Sequence, residues 1–460
     1  MHSPNDFMYT EFLEHKKIFN MPNKWEYMML SSGTNQFPMP SLWKELITEE
    51  LNMDFTYQLY VSPYGFETVN KSLVLYENFI STQGQFLNEA VCNNEVCMTI
   101  GSSQAASLVM DYIQYNNTEA KIILVGKNYA LYEMVSKKHE FEVKELQSNM
   151  TFLPHIDMLI NYIRASSENS VFVFSHPNNP SGEQYSQQDF DKIVKALKMN
   201  NCFGIFDEVC NMVITNNNLV LIETAITKNN YWKKSIIINS FSKTESVAGM
   251  RIGYIYAYKH VIDFIVARQS DTLMSLPTTP VLPLFFCLMF RCIFLNNKFL
   301  WHYNDEKKII QYFKKMFLVT TSIPSNTIKS FVENKIENIE SFYNSYIQEL
   351  LDNEAVINVN LSYLKSKLGR YLINISKMEN GFNLMVQLRY TEKYSEIYFV
   401  LDLLEKTGLA VLTESSFCLE KKEDRPFWFR ISLACETMLF CNAVDKLYKY
   451  LSLLEESSDN

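Results

Sequence analysis

The sequence predicts an α/β protein: a large domain built on a mostly parallel central sheet sandwiched by helices, followed by a smaller α+β domain. Three observations carry that expectation. Short apolar runs recur between longer amphipathic stretches, the alternation expected of strands joined by crossover helices. The runs are continuous, as in strands covered on both faces. After about residue 297 the sequence turns Lys- and Asn-rich and helical, with separate strand segments only near the end.

Taken in order, the buried strands are expected at residues 122–125, 171–174, 203–206, 236–238 and 252–257. Between them, "SQQDFDKIVKALKMNN" reads as an amphipathic helix opened by Ser186 as its N-cap. "VLPLFFCLMF" is the most membrane-like stretch, but it is too short to span a bilayer, contains Pro283 and runs into Arg291. A buried helix is expected there, and no membrane partner. In the later part, "GFNLMVQL", "LAVLT" and "FWFRISLA" are strand candidates, and "CNAVDKLYKYLSLLEE" is a closing helix. The expected division is an N-terminal arm over 1–45 that joins the small domain, a large domain over 46–296 and a small domain over 297–460. A chain of 460 residues suits two or three domains at roughly 100–200 residues each.

Net charge is -9, which argues against a general nucleic-acid surface. The nine cysteines are scattered with no CxxC pair and no Cys/His cluster at metal spacing, so reduced thiols, a cytoplasmic setting and no metal are expected. The opening "MHSPNDFMYTEFLEHKKIFN" lacks the apolar core of a signal peptide.

The chemistry gathers where the apolar runs end. "IINSFSKTESVAGMRIGY" sets Lys243 directly after a buried strand, flanked by Ser240 and Arg251. Lysine is rarely buried without a partner. "IGSSQAAS" places Gly101, Ser102 and Ser103 at the start of a helix, where free N–H groups and the helix dipole favour an anion. Tyr129 in "GKNYALYEM" can offer a ring face, Asn179 lies on the turn of "SHPNNPSGE", and Asp207 ends "CFGIFD". Alone, each has a plainer explanation: a Ser-x-Ser-Lys is usually a surface loop, and a strand-end Asp usually caps a helix. Together, an amine, a carboxylate for a ring nitrogen, a phosphate cradle and an aromatic platform specify pyridoxal phosphate.

From "LSSGTNQFPMP" to "FRISLAC" the chain resembles the class I/II aminotransferases, fold-type I pyridoxal-phosphate enzymes. The most specific likeness is "SFSKTESVAGMRIGY", with arginine eight positions after lysine. The resemblance implies that Lys243 forms the Schiff base with the cofactor and then moves the proton. Asp207 would pair with the pyridine nitrogen, Asn179 with the ring oxygen, and Tyr129 would stack on the ring. Ser102, Ser103, Ser240 and Arg251 would hold the phosphate, together with a Tyr60 reaching in from the other subunit of a homodimer. Arg430 would clamp the substrate carboxylate, and Gly33 would line the substrate site. The substrates implied are an amino acid and a 2-oxo acid.

One position departs from the pattern: "DEVC" puts Cys210 where the family usually has a tyrosine. That departure supports an alternative reaction on the same scaffold, a lyase, cyclase or oxidase. So does "KWEYMMLSSG", which is similar to the opening of pyridoxal-phosphate arginine oxidases. A transcription regulator with an aminotransferase-like domain is a third reading. It is disfavoured because the domain's first motif already stands at Gly33, leaving no room for a basic helix-turn-helix module. The stretch from about 320 to 381 is longer than the family's usual pattern and has no functional account at this level.

Overall fold

The computed structural model describes residues 28–53, 57, 60–84, 94–147, 151–215, 218–301, 306–320, 326–391, 394–417 and 426–456. The first 27 residues, with the expected leaderless opening and most of the arm, lie outside them.

Thirteen strands are present among the described residues. β1 is Met28–Met29, β2 Asn94–Ile100, β3 Lys121–Val125, β4 Glu142–Leu146, β5 Ser170–Ser175, β6 Phe203–Asp207, β7 Ser235–Ser240 and β8 Ile252–Tyr258. In the later part β9 is Leu372–Ile375, β10 Asn383–Leu388, β11 Leu409–Ala410, β12 Leu412–Thr413 and β13 Trp428–Ser432. Strands β2 to β8 form one sheet in the order β2-β8-β7-β6-β5-β3-β4, parallel except for β8, which runs against both neighbours. All five expected large-domain strands are found, each within two residues of its expected ends. The alternation missed β2 and β4. Strand β4, "EVKEL", is a half-exposed edge carrying Glu142, Lys144 and Glu145, so it has no apolar run.

Apolar residues cover both faces of this sheet. On one face Leu73, Phe172, Phe190, Phe206 and Phe286 share a core, and on the other Val109, Val171, Ile205 and Ile262 do. The expected helix after Ser186 is Gln187–Met199, and the Asp189 N–H donates to Ser186 Oγ at 3.2 Å. The membrane-like stretch is the helix Val281–Phe299, long and apolar enough to cross a bilayer but 83% buried over its most apolar window. Its first N–H groups find an acceptor in buried Glu50: Val281 and Leu282 donate to Glu50 Oε2 at 2.9 and 3.0 Å.

The smaller sheet, β12-β13-β10-β9, is antiparallel and backs onto a second core with the closing helix Thr437–Glu456. β1 pairs with β11, and Leu30 and Phe37 enter this second core. The two cores do not divide the chain at residues 45 and 296. Leu42, Trp43 and Leu46 of the helix Ser41–Asn52 already pack in the first core. The helices Glu306–Val319 and Asn326–Glu337 do too, through Ile309, Phe313, Phe317, Ile328 and Val332. The Lys/Asn-rich composition at 297 marks their solvated faces, while an apolar stripe at helical spacing binds the large domain. The change from one core to the other comes inside the helix Ile339–Leu368, between Leu350 and Ile357.

Candidate active site

The predicted residues other than Tyr60 gather beyond one end of the strands of the large sheet. Ser175 is paired with Asp207, Asp207 with Ile238, Ser240 with Gly253 and Ile100 with Ile252. The ends of β2, β5, β6 and β7 and the start of β8 are therefore level. Loops beyond such strand ends are where open α/β sheets bind ligands.

Lys243 lies in the four-residue helix Phe241–Thr244 that leaves β7. Ser240 caps it: its hydroxyl accepts from the Ser242 N–H at 3.0 Å and donates to the Ile252 carbonyl at 2.8 Å. Lys243 Nζ donates to the Gly33 carbonyl, and Asn35 Nδ2 donates to the Lys243 carbonyl at 2.8 Å. Burial pushes the amine pKa down, Arg430 and Arg251 add to that, and Cys210 and Asp207 oppose it. At the end of its buried strand the lysine thus faces two arginines, a carboxylate and a thiol. A lowered pKa favours the unprotonated amine, the form that acts as a nucleophile and a base.

Asp207 is buried at the end of β6 and held by two donors. The Tyr132 hydroxyl reaches Oδ2 at 2.8 Å and the Val209 N–H reaches Oδ1 at 3.0 Å. Burial raises its pKa, while those donors and Lys243 favour the carboxylate. Tyr132 was not anticipated. It lies in the helix Ala130–Lys138, three positions after Tyr129, the residue immediately before that helix. Tyr129 is 37% exposed, and its phenol is raised by burial and by Asp207 while Arg430 and Arg251 pull it down.

Arg430, in β13, comes from the small domain. Nη1 donates to Asn179 Oδ1 and Nη2 to the Ser31 carbonyl, both at 2.8 Å, and the guanidinium lies 4.8 Å from the Phe417 ring centroid. It is 4% exposed, Nε has no hydrogen-bond partner, and no carboxylate pairs with it among the described residues. Burial lowers its pKa to about 10. A buried guanidinium is normally matched by an anion, so this one is held ready for an anion from outside. A Cβ on Gly33 would come within 3.1 Å of Nη2, which is why the bare glycine suits the segment lying over it.

The opposite end forms a second anion cradle. Gly101 has φ +68°, and a Cβ there would lie 2.8 Å from Arg251 Cζ; one on Gly253 would lie 2.8 Å from the Ser102 nitrogen. The two glycines let the Arg251 guanidinium and β8 close on the first turn of the helix Gly101–Asn116, which carries Ser102 and Ser103. Arg251 itself is left-handed, φ 55°, and donates to the Ala248 carbonyl at 3.1 Å. Cys210 also lies in the cluster. Burial raises its thiol to about 11, with Lys243 and Arg430 pulling it down. Tyr60 stands apart from these residues, 98% exposed.

This arrangement fits pyridoxal phosphate. It offers a nucleophilic amine, a buried carboxylate with its acceptor atoms fixed, an aromatic ring beside them, and an arginine over a helix start that a side chain on Gly101 would block. Ser31, Asn35, Tyr132 and Phe417 were not legible as site residues, because their roles arise from contacts between distant segments.

The sequence model of the family described as aminotransferase class I and II matches residues 26–284. The aspartate aminotransferase of Sulfolobus acidocaldarius is 24% identical over 257 residues, 55% of this chain and 60% of that protein. Human kynurenine–oxoglutarate transaminase 1 is 19% identical over 282 residues, 59% of this chain and 64% of that protein. The chain thus spans about 60% of the length of the curated relatives it matches. Among solved structures, the aspartate aminotransferase of Thermotoga maritima superposes with a TM-score of 0.68 at 17% identity, covering 96% of both chains. The expected fold, α/β of fold-type I, is therefore the one observed.

Proposed function

The chain belongs to the aminotransferase class I and II family, and from that premise we propose that it is a pyridoxal-phosphate-dependent aminotransferase acting on an amino acid and a 2-oxo acid. One observation carries the reading: the buried Arg430, with no carboxylate partner among the described residues, stands within electrostatic reach of the lowered Lys243 amine. A substrate carboxylate completes the pair, bidentate geometry being what guanidinium provides.

When bound, pyridoxal phosphate supplies the carbonyl carbon that receives the amine and a ring that takes up the electron pair released at the substrate Cα. The chain's residues do the rest. Gly101, Ser102, Ser103, Ser240 and Arg251 would hold the phosphate. Asp207, fixed by Tyr132, would accept the ring N–H, Tyr129 would cover the ring, and Asn179 would face its oxygen. Arg430 orients the amino acid, and Lys243 Nζ takes the Cα proton and returns it one carbon away. Exposed Tyr60 supports a homodimer in which Tyr60 of the partner subunit contacts the phosphate, and the scattered cysteines support a cytoplasmic setting. The relatives bear names of aspartate, kynurenine and histidinol-phosphate transamination, which favours transfer over elimination, cyclisation or oxidation.

Borohydride reduction of the loaded protein followed by peptide mapping should place the pyridoxyl group on Lys243. A screen starting with L-aspartate and 2-oxoglutarate, with separate assays for 2-oxo acid, ammonia and peroxide, should give 2-oxo acid alone. Label on another lysine, or ammonia and peroxide as products, would overturn the assignment.

A further inference from the structure

The helix Ile339–Leu368 lies in the stretch that the sequence left without a role, and it touches both halves of the site. Its first half, with Tyr346 and Leu350, belongs to the large-domain core, and Ile357, Leu364 and Leu368 belong to the second core. Each half carries one buried polar anchor. The Tyr346 hydroxyl donates to Glu245 Oε1 at 2.8 Å, two residues beyond Lys243. Asn360 Nδ2 donates to the carbonyls of Leu433 and Cys435, both at 2.9 Å, just beyond the strand that carries Arg430. The anchors lie about 20 Å apart along the helix at roughly 1.5 Å per residue.

The Lys243 turn is gripped at the first anchor. Arg291 Nη2 donates to Glu245 Oε1 at 2.6 Å and to Thr244 Oγ1 at 2.7 Å, and its guanidinium lies 5.1 Å from the Phe241 ring centroid. Phe241, Thr244 and Glu245 are thus held from behind, while Asn35 holds the Lys243 carbonyl from the other side. Glu245 and Arg291 are 1% and 4% exposed. A buried ion pair adds little stability over a well-packed apolar pair, but its directional contacts define geometry.

We propose that the helix Ile339–Leu368 is a strut that sets the spacing of Lys243 and Arg430. Tyr346, through Glu245 and Arg291, anchors its large-domain half, and Asn360 anchors its small-domain half. All four are positioning residues. The link to catalysis rests on the function proposed above; the link between the two anchors does not.

The titratable and charged groups facing the Lys243 amine are the Cys210 thiol, Arg430, Arg251 and Asp207. Moving Arg430 away, or loosening the turn, should make the amine easier to protonate. The test uses the cofactor-free 460-residue chain, labelled with acetic anhydride over a pH series, with modification of Lys243 quantified by mass spectrometry. Tyr346→Phe and Asn360→Leu, or Asn360→Ser if leucine is not tolerated, should each lower Lys243 labelling at pH 8 about 3-fold through a raised protonation midpoint. Sites this far apart ordinarily act additively. A strut released at one end transmits nothing from the other, so the double variant should match the more affected single variant within about 1.5-fold. An unmoved midpoint in Asn360→Leu, or effects that multiply in the double variant, would overturn the strut, even where melting temperature falls. Borohydride trapping on Lys243 in the parent is scored separately, so failure of the cofactor assignment is distinguishable from failure of the strut.

Discussion

Replacing Arg430 by methionine separates binding from stability, because the structure sets the two against each other. The guanidinium is buried, lacks a carboxylate among the described residues, and has its pKa pushed down to about 10 by burial. That depression corresponds to roughly 3 kcal/mol against keeping the charge at neutral pH, at about 1.4 kcal/mol per pH unit. Both folded and unfolded chains hold this proton below pH 10, so the penalty is constant there. It fades only as pH rises beyond that value, where the unfolded chain binds more protons than the folded one. Methionine removes the penalty and roughly keeps the volume. Against this, Asn179 Oδ1 and the Ser31 carbonyl each lose a donor, about 1–2 kcal/mol apiece.

The two effects offset to within about 1–2 kcal/mol, so Arg430→Met should melt within a few degrees of the parent despite the burial. Substrate binding should behave otherwise. Losing a charge-assisted pair that leaves a carboxylate unpaired costs about 2–5 kcal/mol, a rise in KM of at least about 30-fold. The assay is a pair of measurements on cofactor-loaded protein, thermal melting and KM for the amino donor. A large fall in melting temperature with KM unchanged would refute the reasoning and make Arg430 a structural residue.

Tyr132→Phe removes one of two donors to Asp207 and should weaken retention of pyridoxal phosphate about 10-fold, measured by equilibrium dialysis. Glu77, Glu208 and Glu223 are buried together, and burial first, then mutual repulsion, raises Glu77 and Glu208. Their stability contribution is present at acid pH and is lost as pH rises above the unfolded carboxylate range, because the unfolded chain releases protons that the folded one keeps. Glu223→Gln should therefore raise the melting temperature more at pH 8 than at pH 5; a larger gain at pH 5 would contradict it. Cys210→Tyr should lower the pH midpoint of the bound cofactor's visible absorbance, since a neutral thiol is a much weaker donor than a phenol. Sedimentation should give a dimer, and Tyr60→Phe should loosen the cofactor without dissociating it.

What the sequence disclosed depended on the length scale of the cause. The five strands of the large sheet were legible because each is a continuous apolar run, and the level strand ends followed from parallel topology alone. Lys243, Asp207, Asn179, Tyr129 and Arg251 could be proposed because each sits at a strand end or in a motif a few residues long, and Arg430 was proposed through the family resemblance. Strand β4 was not legible, since an edge strand carries charge on its open side and so loses its pattern. The composition change at 297 does not mark the change of core, for the opposite reason. Composition there reports the solvated faces of two helices, while their partner is chosen by stripes such as Ile309, Phe313 and Phe317, which bind either core equally well in one dimension. Tyr132, Asn35 and Ser31 show the deepest limit: each owes its role to one atom of a residue far along the chain or across a turn. The same limit hides Tyr346 and Asn360. Helical periodicity explains both as core positions, and only three-dimensional contacts distinguish a tyrosine that fills space from one whose hydroxyl holds the residue two places after Lys243.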